Sequence, residues 1–125
     1  MPDVKLSASI RDGRILMALS GELDVTGAAA AEAAITALAA QGQWLIVDMS
    51  ALDFLDCSSL SALLRVQRLV RQAGGDLVLA APPWLVLRLL ALTGRDDVFC
   101  VHASVAAAVV SVGSRRGGTV GAGVR

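Results

Sequence analysis

Apolar positions along the chain change their spacing in a way that sorts it into short strands and longer helices. Two short runs, Val4 to Ile10 and Ile15 to Ser20, flank Arg11-Asp12-Gly13-Arg14, which reads as a hairpin turn. From Thr26 to about Gln41 the chain is rich in alanine, the best helix former, and Gly42 suits a C-terminal cap. Leu45-Ile46-Val47 is a continuous apolar run and reads as a buried central strand, followed by an expected loop from Asp48 to Asp56. A helix is expected from about Ser58 to Ala73, stopping at Gly74-Gly75. Its Leu60, Leu63, Val66 and Val70 fall on one side, and Ser61, Arg65, Arg68 and Gln72 fall on the other. Leu77 to Ala80 is a second buried strand. Pro82-Pro83 breaks the chain, and Pro83 suits the first turn of a helix ending near Thr93-Gly94. Phe99 to Val101 is a short strand, and Ser104 is placed to cap a last helix from Val105 to Val112. The order β-β-α-β-α-β-α-β-α predicts an α/β fold, a single mixed β-sheet with about four helices packed against it and right-handed crossovers. Residues 1–112 form the expected domain. Residues 113–125, mostly glycine, arginine and small side chains, are expected to be a disordered tail, whose Arg115, Arg116 and Arg125 are open to an acidic partner.

Composition narrows the function classes. A chain of 125 residues fits one domain, and 55% hydrophobic against 18% charged residues excludes a wholly disordered polymer. Eleven basic residues balance eleven acidic ones, so the overall electrostatic footprint of a nucleic-acid binder is missing. Tyrosine is absent, and Trp44, Phe54, Trp84 and Phe99 are the only aromatic residues, too few for a base-stacking platform. The N-terminus carries Asp3 and Lys5 and has no apolar secretion segment. Nor does any run reach the roughly 18 apolar residues of a membrane span, since Arg88 interrupts Trp84 to Leu92. Cys57 and Cys100 lack metal-ligand spacing. A reduced, cytoplasmic chain without membrane insertion is the expectation.

Catalysis is hard to build from these residues. His102 is the only histidine, no G-x-S-x-G occurs, and no phosphate-binding or dinucleotide fingerprint is present. Asp96-Asp97 reads as a solvated turn. A non-enzyme without metal or cofactor is therefore expected. The informative segment is Ala51 to Leu60, between a buried strand and a helix N-terminus, where Asp56 or a neighbouring serine can cap the helix. Two readings fit it: a capped helix and nothing more, or a site for an anion or a phosphoryl group, which a helix N-terminus favours. A second segment, Gly21-Glu22-Leu23-Asp24, leads from strand to helix. Asp24 is a candidate cap there, and a parallel sheet would gather it at the same edge as Asp56.

Together these segments resemble the STAS family, in particular its anti-sigma factor antagonists, over about Val4 to Val112. The resemblance rests on Gly21 to Asp24, Leu45 to Asp48, Leu52-Asp53-Phe54-Leu55-Asp56 with the serine-containing helix start, Gly74-Gly75-Asp76-Leu77 and Leu92-Thr93-Gly94. It implies partner switching: such a protein binds an anti-sigma factor, often a GHKL-type serine kinase, and releases its sigma factor. Phosphorylation directly after the loop aspartate blocks binding, and a phosphatase restores it. In this chain the acceptor position is Cys57, followed by Ser58 and then by Ser59 where the family commonly has glycine. Cys57 reads as an inert thiol, a redox sensor or a thiol acceptor. Ser58 is the nearest hydroxyl, about 100° further around a helix.

The implied switch region is Asp56, Cys57 and Ser58, and the implied partner surface adds Asp24, Ser61, Leu64, Arg65 and Arg68. The arginine stripe is equally readable as a solvated helix face. The same fold in an adaptor subunit of a membrane lipid-transport ABC ATPase is the rival expectation. A small-ligand sensor is a third class, without a glycine-rich cradle to support it. Monomer and weak homodimer are both open.

Overall fold

A computed structural model describes residues 5–11, 14–39 and 44–117. Its sheet has five strands in sequence order: β1 (Lys5–Arg11), β2 (Arg14–Leu23), β3 (Trp44–Leu55), β4 (Leu77–Ala80) and β5 (Cys100–His102). β1 is antiparallel to β2, and β2 to β5 run parallel. Helices α1 (Val25–Ala39), α2 (Cys57–Gln72) and α3 (Trp84–Leu92) connect the parallel strands, and α4 (Val105–Gly117) is the last of the described elements. The expected mixed sheet with four helices is the observed architecture.

Side-chain alternation explains the layering. Leu45 and Val47 of β3 and Leu77 and Leu79 of β4 point to one face, where they pack with Ile35 of α1, Leu60, Leu63, Val66 and Val70 of α2, and Val86 and Leu90 of α3. Ile46, Val78 and Ala80 point the other way and meet Ala108 and Val112 of α4. Three helices thus cover one face and one helix the other. Burial of both faces is why the central strands read as unbroken apolar runs.

Helix boundaries follow the predicted chemistry. Gly74, at φ +96°, ends α2, and the Gly75 N–H donates to the Val70 carbonyl at 2.9 Å. Ser104 Oγ accepts from the Ala107 N–H at 3.0 Å and caps α4. α4 runs five residues past the expected end at Val112, to Gly117. The rest of the expected tail, residues 118–125, lies outside the described residues, as do Asp12-Gly13 of the hairpin turn and Gly42.

The expected loop from Asp48 to Asp56 is a strand as far as Leu55. Between the β2 partners Ala18 and Ser20 the register on β3 advances from Asp48 to Ala51, and between Gly21 and Glu22 it advances from Leu52 to Phe54. Each step places one extra residue on β3, as a β-bulge does. The bulges convert the two-residue alternation into burial at every third residue, Met49, Leu52 and Leu55, a spacing that does not read as a strand. Gly21 lies at φ +88° beside the second bulge, a conformation that glycine adopts without the strain a Cβ would bring.

Candidate functional site

Leu23 and Leu55 are register partners at the carboxyl ends of β2 and β3. The next residues, Asp24 and Asp56, each start a helix, so α1 and α2 open side by side at one sheet edge. Asp56 is the N-cap of α2. Its backbone is extended, and its Oδ1 accepts from the Ser59 N–H at 2.9 Å. The Asp24 carbonyl accepts from the Gly27 N–H at 3.1 Å and the Ala28 N–H at 2.8 Å in the first turn of α1. The side-chain contact to the Gly27 N–H is longer, 3.4 Å.

Ser59 locks this edge. Its side chain is fully buried, and its Oγ lies 2.8 Å from both the Leu23 carbonyl and Asp56 Oδ1. A hydroxyl carries one hydrogen, so the two acceptors share it. The Asp56 N–H also donates to the Leu23 carbonyl, at 3.3 Å. The first turn of α2 is therefore tied to the end of β2 as well as to its own strand.

This lock presents Cys57 and Ser58 outward. Both are exposed on the first turn, and the Cys57 thiol is free. Backbone N–H groups of a first helical turn have no intrahelical acceptor, so the surface around Cys57 and Ser58 favours negative charge from a ligand or partner. Phe54, two residues before the cap, is 39% exposed and adds an apolar element to the same edge.

Along α2 the predicted stripe is present: Ser61 and Leu64 are half-buried, and Arg65 and Arg68 are exposed. Arg65 is not a free solvated residue. It makes a two-pronged ion pair with Glu32 of α1, Nε to Oε2 at 2.8 Å and Nη2 to Oε1 at 2.7 Å. Arg68 makes no ion pair among the described residues. The hydrogen bond from Arg65 holds the Glu32 carboxyl below the usual glutamate range. A carboxyl depressed in the folded state stabilises the fold fully above its unfolded pKa, and that share is lost as pH falls through the folded value. Glu32→Gln is thus expected to flatten slightly the acid limb of a stability–pH curve measured by urea unfolding, and an unchanged limb would show the pair contributes nothing. The effect is small because the pair is largely solvated.

Four contributors were not singled out from the sequence: Phe54 as an exposed edge residue, Ser59 as a lock, Glu32 as the partner of Arg65, and Gln67, which is 4% exposed. Glu32 carried a signal, being the only charged residue between Asp24 and Asp48. Gln67 carried one too, since it sits four residues after Leu63 and three before Val70 on the buried face. Among the described residues no group of three His, Cys, Asp or Glu side chains is placed to hold a metal ion, and no helix is long and apolar enough to cross a membrane.

Residues 5–108 match the model of the STAS domain. The chain belongs to the STAS domain family. An anti-sigma factor antagonist from Mycobacterium paratuberculosis superposes with a TM-score of 0.80 at 28% identity, covering 88% of this chain and 94% of that one. The anti-sigma factor antagonist SpoIIAA in its unphosphorylated form gives 0.76 at 22% identity, covering 90% and 97%. A murine solute carrier 26 family member A9 anion transporter carries the fold as well, with a TM-score of 0.70 at 15% identity over 91% of this STAS chain and 22% of the transporter. The last two likenesses show the fold alone. No protein of curated function matches the chain.

Proposed function

We propose that this STAS protein is an anti-sigma factor antagonist. It binds an anti-sigma factor, a GHKL-type serine kinase in this reading, and frees the sigma factor by partner switching in the cytoplasm. The observation that carries the reading is the locked, outward-facing turn Asp56-Cys57-Ser58, in a chain that matches an antagonist over nearly the whole length of both. Asp24, Asp56, Cys57 and Ser58 form the centre of the contact surface. Ser61, Leu64, Arg65 and Arg68 extend it along α2, and Phe54 supplies an apolar anchor at its edge. Cys57 stands at the acceptor position, so a serine kinase finds a thiol where it needs a hydroxyl. The protein is then competent to bind without needing a phosphatase to reactivate it.

Affinity capture from native lysate tests the partner class. Recovery of a GHKL-type kinase supports the proposal, and recovery of an ABC ATPase in its place overturns it in favour of an adaptor role. A second test concerns the α2 stripe. Reversing Arg65 and Arg68 together to glutamate is expected to weaken binding of the captured kinase in calorimetry. The melting temperature is expected to fall only modestly, because Arg68 has no ion-pair partner among the described residues and exposed ion pairs are worth about 1 kcal/mol or less. Arg65→Glu also sets two carboxylates against each other, so the swap Glu32→Arg with Arg65→Glu restores the α1–α2 pair and isolates the binding effect. Unaltered affinity would remove this stripe from the interface.

A further inference from the structure

We infer that a second docking surface lies further along α2, a groove that receives an acidic, extended peptide segment of a binding partner. The groove lies between the C-terminal half of α2 and the α3–β5 connection, and Leu64, Gln67, Arg68, Arg71, Arg95 and Val98 line it. No carboxylate lines it, in a chain whose acidic and basic residues are equal in number. Arg71 is held by Asp76 at 2.8 Å, whereas Arg68 and Arg95 have no ion-pair partner among the described residues. Asp96 and Asp97 follow Arg95 in sequence, but neither lines the groove. Two guanidiniums are thus uncompensated on one concave surface, and guanidinium pairs preferentially with carboxylate or phosphate.

Gln67 points to a peptide in particular. Its Nε2 donates to the Val98 carbonyl at 2.9 Å, which fixes the amide orientation. Its Oε1 accepts from no described residue, although the residue is only 4% exposed. A buried acceptor gains from a donor, and Gln67 is among the residues that line the groove. An anion such as chloride or acetate has no hydrogen-bond donor to offer. An extended acidic peptide offers a backbone N–H to Oε1, carboxylates to Arg68 and Arg95, and apolar carbon to Leu64 and Val98. Arg68 joins this groove to the surface around Cys57, so one partner can occupy both. The inference does not depend on that partner being an anti-sigma factor.

The test uses the full chain labelled with 15N and a synthetic hexapeptide of alternating glutamate and leucine, titrated to millimolar concentration. The expected result is that the Gln67 side-chain amide and the Nε–H signals of Arg68 and Arg95 shift together, while a lysine–leucine peptide shifts none of them. Arg68→Ala with Arg95→Ala is expected to weaken the peptide about tenfold. Gln67→Leu, which removes the buried acceptor without touching the guanidiniums, should weaken it as well. Shifts confined to other residues, or none, overturn the proposal. So do equal shifts from inorganic phosphate, which would make the groove a small-anion site, and stronger shifts from single-stranded RNA. A peptide effect that survives in the double-alanine variant overturns it too. Because the probe is a free peptide, failure here leaves the kinase-capture result untouched, and failure of the capture leaves this titration interpretable.

Discussion

Asp56→Ala is expected to lower the melting temperature by about 5 °C, from the loss of roughly 1 kcal/mol of N-cap stabilisation in a domain of this size. The carboxylate accepts from the Ser59 backbone N–H and shares the Ser59 hydroxyl hydrogen with the Leu23 carbonyl. Truncation removes both contacts and frees the first turn of α2, so binding should fall along with stability. Asp56→Asn separates the two effects, because the amide oxygen still caps the helix while the charge is gone. That variant should melt near wild type. Ser59→Ala loses the buried hydroxyl alone and costs about 1 kcal/mol, while the Leu23 carbonyl keeps the Asp56 N–H. Thermal denaturation followed by circular dichroism reads all three, and an Asp56→Ala variant that melts with wild type would show that the lock does not hold the edge together.

Cys57→Ser carries the larger functional effect, a change from little or no phosphate incorporation to modification of most molecules. The thiol is exposed on the first turn of α2, directly after the cap. A hydroxyl in its place puts an acceptor on a turn whose backbone N–H groups favour the phosphate product. The phosphate adds about −1.5 to −2 charges beside Asp56, and repulsion with desolvation across a close interface should release the partner. Cys57→Asp tests the charge component, with one charge and a smaller group. Intact-mass spectrometry with the captured kinase and ATP, followed by peptide mapping, measures the outcome. Efficient modification of the wild-type chain at Ser58 would contradict a lost acceptor and place the site one residue further along.

The element order, the buried central strands and the cap and stop of individual helices were legible because continuous apolar runs, a capping serine at Ser104 and the glycine stop at Gly74 each leave a direct local signal. Leu45-Ile46-Val47 and Leu77 to Ala80 are buried on both faces, and the sequence carries that directly as unbroken hydrophobicity. The second half of β3 was not legible, because two bulges replace its two-residue period with burial at Met49, Leu52 and Leu55. The start of α2 at Asp56-Cys57-Ser58 was legible as a capped helix end, and what ties it to the neighbouring strand was not. Asp56 could be placed as a cap from local sequence. The bond from Ser59 to Leu23 spans 36 positions and exists only because parallel pairing brings the two strand ends together. The arginine stripe was legible as a face, but the fate of each guanidinium was not. Glu32 and Asp76 hold Arg65 and Arg71, and no described carboxylate holds Arg68.

Displacement of a sigma factor tests partner switching most directly. The captured anti-sigma factor is mixed with its fluorescently labelled sigma factor, and the wild-type STAS protein is titrated in while anisotropy is recorded. The expected result is full release of the sigma factor near stoichiometric addition in the presence of ATP, with Cys57→Ser losing that ability as it becomes phosphorylated. Retention of the sigma factor at saturating, folded wild-type protein would contradict the proposed function.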